Sequence, residues 1–252
     1  MERHEYAVMF KMEEDYWWYR GLHDMVMRCI SRFARHSQRA RLLDAGCGTG
    51  RLLQMFGGSD SYGIDCSPEA FKFLKVRGLA NAARASVCGI PFKDKVFTLV
   101  VSLDVLYHCG VRDDVKAIAE FHRVLEPGGV LILNLPAFEL FRGAHDAAVH
   151  TQRRYRIKDV RGKLEKAGFD IALITYRNTL LLPAAMAVRL MRRSGSRHGH
   201  GVRSDLMSLP GWVNRLFYLI LMFENRLLLQ GLTFPLGLSV FCVAKKDKEE
   251  TA

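Results

Sequence analysis

Leu42 to Gly50 reads Leu-Leu-Asp-Ala-Gly-Cys-Gly-Thr-Gly, a run whose residue types can hold a small molecule against bare backbone. Gly46, Gly48 and Gly50 lack a Cβ, so the chain there can take positive φ and let a ligand lie directly on it. A second run, Ser61 to Asp65, ends in a carboxylate with Cys66 behind it. An acid at that position can accept hydrogen bonds from both hydroxyls of a ribose. The turn is spaced Gly-x-Gly-x-Gly, with Asp44 just ahead of it and Cys47 inside it. Dinucleotide enzymes instead use Gly-x-Gly-x-x-Gly around a pyrophosphate.

These residues need a particular scaffold. Leu42-Leu43 describes a buried parallel strand, and Leu52-Leu53 starts a helix whose N-terminal amides face the ligand. Ser67-Pro68-Glu69 opens another helix, with Ser67 as N-cap, running to about Arg77. A short strand is predicted over about Ala83 to Val87. Phe97 to Leu103 is apolar enough for a buried central strand and delivers Asp104 and His108 to the edge where ligands bind in such sheets. Asp113 to Leu125 is predicted as an amphipathic helix stopped by Glu126-Pro127-Gly128-Gly129, with a strand over Val130 to Leu135. Asp159 to Ala167 is a helix, and Phe169 to Tyr176 and Leu238 to Ala244 are the last strands.

The acid followed by Gly-x-Gly-x-Gly, with Asp65 closing the next strand, resembles the first motifs of the class I, Rossmann-like S-adenosylmethionine-dependent methyltransferases. Phe121 to Gly129 matches the same family, and the resemblance covers about residues 40 to 176 well. It implies an α/β fold with a seven-stranded, mostly parallel sheet, an antiparallel last strand and helices on both faces. It also implies S-adenosyl-L-methionine as cofactor and in-line methyl transfer. Asp44, Gly46, Cys47, Gly48 and Gly50 would pack against the methionine part, with Asp65 and Cys66 at the ribose. Ser86 and Val87 stand where many relatives carry an acid for the adenine, and Asp104 completes the cofactor wall. Relatives commonly read Val-Leu-Glu-His where this chain has Tyr107 before His108.

His145-Asp146, His150 and Arg153-Arg154-Tyr155 resemble a pattern in a type-11-like subgroup. The resemblance makes His145 and His150 candidate proton acceptors for an acceptor hydroxyl. Arg153 and Arg154, with Tyr155 and His108, become candidates for holding the acceptor. The alternative is that His150 and the arginines only tie their loop to the domain. Tyr16 and Trp18, in the aromatic run Tyr16 to Tyr19, are candidate lid residues, or rings that cap the sheet edge. A helix is expected from Leu22 to Phe33.

The chain has 252 residues, 49% of them apolar and 25% charged, enough for one α/β domain with a sizeable core. Its expected plan is a helical cap over 1–39, a cofactor-binding core over 40–178, a helical insertion or lid over 179–236, a last strand over 237–246 and a tail over 247–252. A formal charge of +11 points to an anionic partner or a basic surface. Six cysteines without Cys-x-x-Cys spacing indicate neither zinc nor a redox pair and suit a reducing, cytoplasmic compartment. The acids Glu2, Glu5, Glu13, Glu14 and Asp15 argue against a secretory signal. No metal is expected, because the His and Asp residues lack ligand spacing.

The insertion holds two apolar stretches, Leu180 to Met191 and Trp212 to Leu229. Arg189, Arg192, Arg193, Arg197 and Arg203 lie between them. The first is too short for a membrane span and carries Arg189, while Asn214, Arg215, Glu224, Asn225 and Arg226 break the second. They read as helices over an apolar acceptor pocket, or as a peripheral contact with an anionic membrane through 180–230. A small or lipid-linked acceptor with a hydroxyl is therefore expected. Nucleic acid is the second reading, and a membrane-associated cofactor-binding module without catalysis is the third. The sequence favours no particular oligomeric state.

Overall fold

The computed structural model describes residues 3–34, 40–57, 59–142, 146, 149–187 and 209–247. At its centre is β1 (Leu42–Ala45), buried at every position and therefore flanked by strands on both sides. On one side it pairs in parallel with β2 (Ser61–Asp65), which pairs with β3 (Ala82–Arg84). On the other side it pairs in parallel with β4 (Phe97–Leu103), and β4 with β5 (Leu125–Pro136). The far edge is β6 (Phe169–Arg177), joined to β5 through β7 (Ser239–Lys246), which runs antiparallel to both. The order is β3-β2-β1-β4-β5-β7-β6, so the seven-stranded, mostly parallel sheet with an antiparallel last strand is observed.

Alternation along the strands sends apolar side chains to two cores. Val100, Leu131 and Leu133 join one core with Phe121 and Leu164. Those two lie on α5 (Asp114–Val124) and α6 (Ile157–Lys166). Val101, Ile132 and Val243 join the other core with Met25, Leu52 and Leu74. These come from α2 (Trp17–Phe33), α3 (Arg51–Phe56) and α4 (Pro68–Val76). Ser67 caps α4 by accepting from the Glu69 amide, and Asp113 caps α5 by accepting from Lys116.

Of the boundaries that differ from expectation, three change the local structure. Helix α2 begins at Trp17, so the aromatic run forms its first turn, where Trp17 meets Phe217 edge to face. Strand β3 stops at Arg84 because Ser86 turns back to bridge Gly89. Strand β5 starts at Leu125 rather than Val130. Leu125 pairs with Phe97 and Val130 with Leu99, so Glu126 to Gly129 bulges out between them, with Gly128 at φ 77°.

The last helix, α7 (Gly211–Leu229), lies on α2. Asn225 Nδ2 donates to the Gly21 carbonyl (2.8 Å), Asn214 Nδ2 donates to the Asp15 carbonyl (2.8 Å), and Asn214 Oδ1 accepts from the Trp17 amide (2.9 Å). A Cβ on Gly21 would stand 2.6 Å from Leu221 Cδ1, so the helices meet where only hydrogen fits. Glu224 is fully buried and accepts from the amides of Asn178 (2.6 Å) and Leu180 (2.9 Å), tying the end of β6 to α7. Asn214, Glu224 and Asn225, three of the polar residues that break the second apolar stretch, are thus the clasp on its inner side, while Arg215 and Arg226 are exposed. The arginines at 189, 192, 193, 197 and 203 lie outside the described residues. No described helix is long and apolar enough to cross a membrane.

Glu224→Ala strands two buried amides and opens a cavity. Urea unfolding should show a loss of about 2–4 kcal/mol, with Glu224→Gln losing less.

Candidate cofactor and acceptor site

The C-terminal ends of β1, β2 and β4 and the start of β7 border one cavity of about 1100 Å³. It opens where the strand order reverses between β1 and β4, the switch point at which parallel sheets bind ligands. After β1 the chain cannot continue as strand. Gly46 has φ 94°, and a Cβ there would stand 2.2 Å from Val105 Cγ2. Gly48 has φ 51°, and its amide donates to Asp65 Oδ2 (3.0 Å). Asp65 Oδ1 accepts from the Ser67 amide (2.8 Å) and from Tyr6 Oη (3.3 Å). The ribose candidate and the glycine turn are therefore one hydrogen-bonded unit.

A helix ahead of the aromatic run, α1 (Arg3–Met12), lies over this turn. Met9 Cε is 2.8 Å from where a Gly48 Cβ would be. Just beyond α1, Thr49 Oγ1 donates to the buried Glu13 carboxylate (2.6 Å), which also takes Arg77 Nη2 (2.7 Å). Arg77 Nε reaches the Thr49 carbonyl (3.1 Å). This closed triangle fixes the chain after α1 to the cradle.

The cavity is acid-rich. Burial, with Asp65 and Glu13 adding negative charge, pushes Asp44 up to about 8. Burial lifts Asp104 to about 7, against the hydrogen bonds that its two oxygens accept from Asn134 Nδ2 (3.1 and 3.0 Å). Burial also raises Asp65 and Glu13. Desolvated carboxylates around a cradle of positive-φ glycines suit a cationic ligand. S-adenosylmethionine carries an ammonium and a sulfonium, and the residues present fit it.

Asp44, Gly46, Cys47 and Gly48 all face this cavity, as do Asp65, Cys66, Ser86, Val87 and Asp104. Tyr16, Trp18, His108 and Arg154 face it too. Gly50 does not: a Cβ there would meet Leu74 and Leu79, so this glycine serves the packing of α4. Arg153 points away, donating to the Val111 carbonyl (3.0 Å) and pairing with Asp114 (3.4 Å). Tyr155 is a buried post whose hydroxyl sits between the Leu106 carbonyl (3.1 Å) and Asp114 Oδ2 (2.9 Å). Neither side chain is available to an acceptor in the cavity, because both are spent on the α5 side of the sheet.

Arg154 borders the cavity but is committed, donating Nε and Nη2 to Asp146 and Nη1 to the Ala137 carbonyl. His108 Nδ1 accepts from the Gly110 amide (2.9 Å), and burial, with nearby positive charge, lowers its imidazole to about 4. That bond gives His108 a part in shaping the turn after β4, while its ring also borders the cavity. His150, at φ 54°, stands behind the wall with its ring edge-on to His108. His145 lies outside the described residues.

Sequence reasoning missed Glu5, Tyr6, Met9 and Glu13 from the N-terminal segment, as well as Asn134, and noted Tyr107 only as a departure from the family pattern. Of the missed residues, Asn134 carried a signal, a polar side chain inside an otherwise apolar strand.

Residues 43–133 match the family model described as a methyltransferase domain. Those residues carry a methyltransferase domain, set in the Rossmann-like methyltransferase fold. A Homo sapiens protein described as "Probable tRNA methyltransferase 9B" is 30% identical over 115 residues, 44% of this chain and 24% of its own length. The malonyl-[acyl-carrier protein] O-methyltransferase of Hamiltonella defensa is 35% identical over 101 residues, 38% of each chain. The chain thus spans about a quarter of the length of the first of these relatives. Phosphoethanolamine N-methyltransferase 2 of Haemonchus contortus, solved with S-adenosyl-L-methionine, superposes with TM-score 0.55 at 17% identity. That match covers 88% of this chain and 52% of the other, and shows the shared fold.

Calorimetry should detect S-adenosylmethionine binding to the wild type and a sharp loss in Asp65→Ala and Gly48→Val. Unchanged affinity in both folded variants would exclude this cradle as the cofactor site. A bound cation favours ionised Asp44, so binding should release protons, and affinity should rise with pH until about 8. Titration in buffers of different ionisation enthalpy should show that release in the wild type and a smaller one in Asp44→Asn.

Proposed function

We propose that the protein transfers a methyl group from S-adenosylmethionine to an oxygen of a small or lipid-linked acceptor. The observation that carries this reading is Asp104, raised to about 7 at the base of a largely aromatic and aliphatic chamber. Trp17, Trp18, Tyr107 and Phe217 border that chamber, with Leu181 and Leu209 from the segment between β6 and β7. An apolar acceptor gains free energy there by burying its surface, and a few polar groups orient it.

S-adenosylmethionine, when bound, supplies an electrophilic methyl on sulfur. The cradle sets its place, and the aromatic walls exclude water and align the acceptor, which yields much of the rate in an in-line transfer. Asp104, held by Asn134 and by its left-handed backbone (φ 57°), takes the proton from the acceptor hydroxyl. The bidentate Arg154–Asp146 pair holds the wall in shape. The similarity to an O-methyltransferase acting on a carrier-linked acyl group supports oxygen as the target. The +11 charge and the tRNA methyltransferase relative favour RNA as the second reading.

Labelled S-adenosylmethionine, incubated with the protein and a cell extract, should place label in the lipid or small-molecule fraction. Label confined to nuclease-sensitive material would establish the RNA reading instead. With an acceptor in hand, the rate should climb with pH to about 7 and then level, because Asp104 must be ionised to accept a proton. Asp104→Asn should lower kcat about 10²–10⁴-fold and abolish that limb.

A further inference from the structure

Helix α7 has two faces of opposite use. Leu221, Glu224, Asn225 and Leu228 are buried on its inner side. On its outer side Trp212, Leu216, Leu219 and Phe223 follow one another at helical spacing and are 72%, 46%, 54% and 57% exposed. At about 100° per residue these four fall within one narrow sector, and the exposed Arg215 and Arg226 flank it on a single side. Glu224 is the one acid between residues 209 and 236, and it is turned inward. The turn after the helix adds Leu232 and Leu236, both about half exposed. No described residue covers this row. A helix that only roofs a domain carries charge on its outer face, and this one carries a Trp, a Phe and two Leu there.

We propose that the outer face of α7 docks onto the surface of an anionic lipid bilayer. The stripe would enter the headgroup–acyl boundary with the helix lying in the plane of the membrane, and the two arginines would meet lipid phosphates or carboxylates. Charge selects this occupant over the others. In a symmetric dimer through this face, Arg215 and Arg226 of each copy would approach those of the other with no acid in the stripe to offset them. Nucleic acid would set Leu216 and Leu219 against phosphates. A bilayer accepts both components at once, and the +11 chain adds long-range attraction. The helix lies on the membrane rather than crossing it. Phe217, on its inner side, borders the acceptor chamber. A docked α7 would therefore bring the chamber close to the lipid phase, a consequence that rests on the function proposed above, whereas the docking does not.

The test is sedimentation of the full chain with vesicles of phosphatidylcholine and phosphatidylserine at low ionic strength. The wild type should bind these and bind pure phosphatidylcholine weakly. Leu219→Ser/Phe223→Ser should reduce binding about tenfold or more, since both side chains leave water on docking. Arg215→Gln/Arg226→Gln should reduce it about tenfold. All four side chains are exposed, so unchanged melting and unchanged S-adenosylmethionine affinity should accompany the loss. Failure of the wild type to bind vesicles overturns the proposal. So does full binding by the Leu219/Phe223 variant, or a dimer in sedimentation velocity that this variant dissolves. Because vesicle binding is read without methyl transfer, failure here is distinct from failure of the enzymatic reading.

Discussion

The end of β1 is the constraint on which the rest of the structure depends. A central strand must stop there in a turn of positive φ, because a Cβ on Gly46 would collide with Val105 from the neighbouring β4 end. That stop leaves the Gly48 amide free for Asp65 and opens space at the switch point of the sheet. The cavity, the acid-rich lining and the position of Asp104 all follow from two parallel strands ending side by side and then diverging.

Around this point polar groups are buried, and each is answered locally or left for a ligand. The Glu13–Arg77–Thr49 triangle is answered by its own partners, so it fastens the N-terminal segment to the cradle. Arg154 is answered by Asp146 in the same way. Asp44 is different: burial and two neighbouring carboxylates raise it, and no cation among the described residues lowers it. The distinction between satisfied and waiting charges separates scaffold from binding surface here better than residue type does.

The segments before β1 and between β6 and β7 are far apart in sequence and meet as α2 and α7. Their contact sets two asparagines and a glycine of the pair among apolar side chains such as Leu22, Met25 and Leu228, while Glu224 ties α7 to the end of β6. Arg20 lying over the Tyr218 ring (4.0 Å) adds a further link near the rim. With its polar residues engaged inward, α7 is left with an apolar outer row, an inversion of the usual surface helix.

The sequence by itself determined the α/β order, the glycine turn, Asp65 at the second strand end and Asp104 at the fourth. Each is encoded locally, by φ requirements, strand periodicity or the end of an apolar run. Tertiary structure alone decided which polar side chains face the cavity. Arg153 and Arg154 are adjacent in sequence, yet one turns to Asp114 and the other to Asp146, because extended backbone sends neighbours to opposite sides. The roof formed by α1 was equally hidden, since Glu13 finds Thr49 and Arg77 only once the chain has folded back over its first strand. The apolar run of α7 likewise shows in sequence, but which of its faces is core depends on where Asn214, Glu224 and Asn225 find their partners.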